Sequence, residues 1–107
     1  MAKELRTWAG RSSFAYEGDP LTDGTRIYFA TDRRYLVNVT KEQYAALLSY
    51  FKGQTVSAGT SRDKAPAKSV GRWLQDNVTK TAIASYVCPV LVHYGFAKKQ
   101  ADKIIFK

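Results

Sequence analysis

Three consecutive stretches decide the reading of this chain: Ser69-Val-Gly-Arg-Trp-Leu-Gln-Asp-Asn77, Val78-Thr-Lys-Thr-Ala-Ile-Ala-Ser-Tyr-Val-Cys-Pro-Val-Leu-Val-His-Tyr-Gly95, and Phe96-Ala-Lys-Lys-Gln-Ala-Asp-Lys-Ile-Ile-Phe-Lys107. They read as a short helix, a tight turn, a longer helix and a β-hairpin. The Ser69 hydroxyl can accept an orphan backbone N–H of a first helical turn. Val70, Trp73, Leu74 and Val78 follow at helical spacing. Thr79 is a second N-cap candidate, which places the longer helix at 79–94. Gly95 suits the left-handed residue that ends a helix. Phe96–Lys98 and Lys103–Phe106 then read as strands, with Gln100-Ala101-Asp102 at the turn.

Upstream, Thr40-Lys-Glu-Gln43 has the form of a capping box, in which the Thr and Gln side chains satisfy each other's backbone N–H groups. Tyr44, Leu47, Leu48 and Phe51 then fall at i, i+3, i+4 and i+7, one apolar stripe of a helix that ends at Gly53. Residues 25–39 alternate with period two around a polar turn at Thr31-Asp32-Arg33, the pattern of a β-hairpin. Thr55–Ala58 reads as a short strand and Gly59–Lys68 as a polar, basic loop. Residues 1–24 scatter Leu5, Trp8, Phe14, Tyr16 and Leu21 among turn residues, and are expected to form short strands or a partly mobile arm.

The chain has 107 residues, 45% of them hydrophobic, enough for one domain spanning 1–107 with a real core. No apolar run approaches the ~20 residues needed to span a bilayer, so no membrane partner is expected. One cysteine cannot form an internal disulfide, and a reducing, cytoplasmic setting is the default expectation. The net charge of +8 is uneven. Residues 1–53 hold eight Lys/Arg against six Asp/Glu, and residues 54–107 hold nine against three. A basic C-terminal half fits either a polyanionic partner or a solvated face.

From residue 40 on, the order helix, strand, helix, helix, hairpin resembles the winged helix-turn-helix superfamily. The likeness is nearest over Thr79–Phe106, and no narrower family is named by it. It implies an α+β fold: a β-hairpin at 25–39, then a winged-helix-like core of three helices and a C-terminal β-hairpin. It also implies a third helix set in a DNA major groove and a terminal hairpin, the wing, on the backbone. Two features depart from that pattern. Pro89 removes a hydrogen bond inside the third helix and should kink or break it. The helix is also strongly apolar, with Ile83, Val87, Val90 and Tyr94 as its core stripe. Thr81, Ser85, Cys88 and Val92 lie opposite, small enough to approach bases closely or to meet a protein partner.

The expected function is therefore non-enzymatic binding of nucleic acid, duplex DNA rather than RNA. The candidate contacts are Arg62, Lys64, Lys68, Arg72, Lys80, Thr81, Ser85, Lys98, Lys99 and Lys103. Four of these cations lie around the start of helix 69–77, where a helix N-terminus offers free N–H groups to anions. Tyr28, Tyr35, Tyr50, Tyr86 and the two tryptophans are core residues or stacking platforms. The alternative is a protein–protein module that uses the apolar Cys88–Val92 face. No catalytic residue, cofactor or metal site is expected. One Cys and one His cannot supply the four ligands of a zinc site. Ser61-Arg62-Asp63-Lys64 matches a serine–x–x–lysine spacing without any accompanying motif. The acids Glu17, Asp19, Asp23 and Asp32 are explained by turn composition.

Overall fold

A computed structural model describes residues 2–30, 32–61 and 65–107. The chain is α+β, with three helices and two antiparallel sheets among the described residues. Four strands come first: β1 (Lys3–Arg6), β2 (Ser13–Glu17), β3 (Thr25–Phe29) and β4 (Tyr35–Val39). They form a meander in the order β1-β2-β3-β4. The helix α1 (Lys41–Phe51), the strand β5 (Thr55–Ser57) and the helices α2 (Val70–Asn77) and α3 (Ala84–His93) follow. The strands β6 (Ala97–Gln100) and β7 (Lys103–Phe106) close the chain. β7 lies between β5 and β6, so the second sheet has the order β5-β7-β6.

Residues 1–24 are not an arm on a finished domain. Successive side chains of a strand point to opposite faces, and β2 turns Phe14 and Tyr16 inward, both fully buried. β3 adds Thr25 and Ile27 to the same face. This face packs on two helices. The Thr25 hydroxyl lies 2.7 Å from the Tyr44 hydroxyl of α1. The Tyr16 hydroxyl donates to that of Tyr94, just past α3, at 3.1 Å. Phe14 meets the Tyr86 ring edge-on at 5.3 Å.

The α1 reading stands. Thr40 and Gln43 form both bonds of the capping box, at 3.0 and 2.9 Å. Tyr44, Leu47 and Phe51 are buried, with Leu48 half-buried beside them. Phe51 stacks on Phe106 of β7 at 5.2 Å, so α1 touches both sheets. One hydrophobic cluster joins residues of both sheets and all three helices.

The third helix departs from expectation at its start. It begins at Ala84, and residues 79–83 form a bend. The Thr79 hydroxyl accepts the Thr81 N–H two residues on, a local turn that competes with helix. Val78, Thr79, Thr81 and Ile83 are β-branched, which weakens the case for helix there. Ile83 precedes the helix without a side-chain cap, and its carbonyl accepts the N–H of Tyr86 and Val87. At the other end Gly95 takes φ +79°. The Phe96 N–H reaches the Leu91 carbonyl and the Gly95 N–H the Val92 carbonyl, the two bonds of a Schellman cap.

Pro89 does not break α3, which runs ten residues through it. Proline lacks the N–H that would bond the carbonyl four residues back, here Ser85. That carbonyl instead accepts the backbone N–H of Trp8 at 2.9 Å. The orphan acceptor left by Pro89 is thus satisfied from the N-terminal segment, which explains how an interior proline is accommodated.

Candidate nucleic-acid interface

Arg62 and Lys64, and with them most of Ser61-Arg62-Asp63-Lys64, lie outside the described residues. Apart from Ser85 on α3, the remaining candidates fall into three places and one exclusion.

Lys68 and Arg72 flank the start of α2. Lys68 is exposed, with left-handed backbone at φ +67° immediately before the cap. The Ser69 hydroxyl accepts the Arg72 N–H at 3.1 Å and donates to the Pro66 carbonyl at 2.6 Å. The Gly71 N–H donates to the Ala58 carbonyl. The idea of a helix start with free N–H groups is therefore corrected: Ser69, Val70 and Gly71 are buried, and two of the first three donors have protein acceptors. What stays open is the side-chain surface. Lys68, Arg72, Trp73, Tyr50 and Asn77 line a groove of about 480 Å³, in which Arg72 lies 3.2 Å from Asp76 one turn on. That pair is more than half exposed on both sides, so it adds little stability.

Lys80 and Thr81 are exposed in the α2–α3 bend, not on a helix. They form one wall of a second groove of about 530 Å³, whose other wall carries Phe29, Tyr35 and Leu36. Tyr35 and Leu36 are 54% and 51% exposed, unusual for large apolar side chains on a strand. Sequence alternation puts Tyr35 on the inner face of β4 with Val37 and Val39; its exposure depends on where the sheet ends. Leu36 was not a candidate in the sequence, and only its partial match to the outward period-two positions could have signalled it.

Lys98 and Lys103 share the outer face of the small sheet. Ala97, Ile104 and Phe106 are buried on its inner face. Lys98 pairs with Ile105 and Gln100 with Lys103, so these four, with Thr55 and Ser57 of β5, form the opposite face. Asp102 stands in the turn, and no strand residue of this sheet is acidic.

Lys99 is the exclusion. It lies opposite Ile104, on the core side. Its ammonium donates to the Trp8 carbonyl and sits over the Trp8 ring, 4.7 Å from the centroid. It fastens β1's continuation to the hairpin and is not a free phosphate contact.

The groove-reading role of α3 is corrected too. Ala84, Val87, Cys88, Val90 and Leu91 are buried, and His93 is the one exposed residue of the helix. Ser85 is half-buried, with its carbonyl bonded to Trp8. Phe14, Phe29 and Tyr16 of β2 and β3 pack on the helix's Tyr86 and Tyr94 side, and Trp8 meets the Ser85 side through the Ser85 carbonyl. The apolar Cys88–Val92 surface is not a fully open face either: Cys88 is wholly buried and Val92 half-buried.

Cys88 is wholly buried, and that burial pushes its thiol well up from its ordinary value, disfavouring the thiolate. Among the described residues no three His, Cys, Asp or Glu side chains gather as a metal site would require. The acids are bound locally. Asp19 accepts the backbone N–H groups of Leu21 and Thr22. Glu17 accepts the Tyr28 hydroxyl at 2.7 Å, which raises the Tyr28 phenol. Arg34 holds Asp32 through a two-point contact that lowers its carboxyl. Among the described residues no helix is long and apolar enough to cross a membrane. No protein-family model, curated protein or solved structure matches the chain.

Proposed function

We propose that this chain is a non-enzymatic nucleic-acid-binding module of winged-helix type, which holds the phosphate backbone of duplex DNA through its hairpin rather than reading bases with its third helix. The element order from α1 to β7, with β7 between β5 and β6, supports the winged-helix reading. The observation that carries the function is the outer face of the small sheet. Lys98 and Lys103 stand there with Gln100, Thr55 and Ser57, and the strands bring no acid to it. Lys68 adds charge at the α2 groove, where Arg72 is paired with Asp76.

Affinity of this kind comes from counterion release and is independent of sequence, with dissociation constants of roughly 10⁻⁴–10⁻⁶ M at physiological salt. The test is a titration of a random duplex at several salt concentrations. Lys98→Gln and Lys103→Gln should each lower the slope of log K against log salt by about 0.9. Lys99→Gln should leave that slope alone and destabilise the fold instead. An unchanged slope in the Lys98→Gln, Lys103→Gln double variant would overturn the wing as the contact.

A further inference from the structure

Tyr86, Phe29 and Tyr35 form a ladder of near-parallel rings. Tyr86 and Phe29 lie 4.7 Å apart at 24°, and Phe29 and Tyr35 5.6 Å apart at 27°. The inner end is anchored, because Tyr86 also packs edge-on against the fully buried Phe14. The outer rung is Tyr35, more than half exposed at the mouth of the 530 Å³ groove. Opposite stand Lys80 and the hydroxyls of Thr79 and Thr81, and no lining residue is acidic. Lys80 makes no ion pair among the described residues, whereas the nearby Arg34 is taken by Asp32.

We propose that this groove receives an unpaired nucleobase, which extends the ring ladder beyond Tyr35 while Lys80 holds an adjacent phosphate. A ring ladder fixed from the core offers a flat π-surface already ordered before binding, and every base has a face that matches it. The lysine across the groove supplies the charge complement that an apolar peptide would not use. Paired bases in a duplex are covered by their neighbours, so only a single-stranded segment or a frayed end presents a free face. The inference rests on the nucleic-acid reading above and adds to it a single-stranded site separate from the hairpin.

The experiment uses the full chain, a single-stranded DNA oligomer carrying 2-aminopurine, and a blunt duplex of random sequence. The wild type should quench 2-aminopurine on binding the single strand. Tyr35→Ala should weaken single-strand binding about 5- to 150-fold, the loss of one base–aromatic stack, and abolish the quench. Its duplex affinity should stay within about twofold, and Tyr35→Phe should behave as wild type. Lys80→Gln, which leaves every ring of the ladder in place, should lower the single-strand salt slope by about 0.7. Circular dichroism confirms that each variant is folded. Single-strand binding by Tyr35→Ala equal to wild type, with duplex binding intact, overturns the stacking site and leaves the hairpin reading standing. Equal loss on both substrates, or capture of an extended peptide on β4 that competes with no oligonucleotide, also overturns the stacking site. Binding of neither DNA at low salt overturns both readings.

Discussion

At Gly71 an added Cβ would lie 1.8 Å from the carbonyl oxygen of Gly59, a backbone atom that cannot swing aside. The approach is close because the Gly71 N–H bonds the Ala58 carbonyl at 2.9 Å, pinning the first turn of α2 to the end of β5's loop. Gly71→Ala should force α2 away from this loop and cost about 3 kcal/mol, at the upper end for overpacking. Thermal unfolding checks it, with roughly 4–8 °C of midpoint per kcal/mol for a domain near this size. A midpoint within 2–3 °C of wild type, taken here as roughly half a kcal/mol, would show that the turn relaxes freely. Gly71 was unremarkable as sequence, one small residue in the first turn of an expected helix.

At the scale of elements, α3 depends on a segment more than seventy residues before it. Trp8 donates its backbone N–H to the carbonyl that Pro89 leaves open, buries its ring, and receives Lys99 on that ring and on its own carbonyl. Its indole Nε1 is buried and has no hydrogen-bond partner among the described residues. Trp8→Ala should therefore cost about 3–5 kcal/mol, as for large-to-small changes in a core. Trp8→Phe should cost much less, because it keeps an aromatic under the Lys99 ammonium and removes an unsatisfied polar atom. Denaturant unfolding of the two variants compares them. Equal losses would mean that a retained aromatic ring, and with it the Lys99 contact, contributes nothing.

On the scale of the whole molecule, the four-stranded meander and the helical half share one core. Removing residues 1–39 would expose Tyr44, which shares a buried hydrogen bond with Thr25, and Tyr86 and Tyr94, which pack on Phe14, Phe29 and Tyr16. A fragment of residues 40–107 should lack a cooperative unfolding transition and bind a hydrophobic dye, although it contains every element of the winged-helix order. Calorimetry on the fragment decides: a sharp transition near that of the full chain would show that the meander is an addition and not part of the core.

What the residues determined locally was read correctly where partners lie within a turn of one another. The capping box at Thr40, the Ser69 cap, the Gly95 stop and the 25–39 hairpin each rest on contacts no more than fourteen residues apart along the chain. The class α+β followed from them, as did the apolar stripe Tyr44, Leu47 and Phe51. The start of α3 was misread because Thr79 supports both a cap and an i to i+2 turn, and only the surrounding packing selects between them. The candidate site suffered most. Charge counts identified Lys98, Lys99 and Lys103 as equals, and only pairing register and the Trp8 contact separate the two on the outer face of the sheet from the one that serves Trp8. The composition of α3 allowed a reading face or a buried helix. Tertiary structure decided for burial, because Phe14, Phe29 and Tyr16 come from a sheet whose distance along the chain no local pattern could bridge.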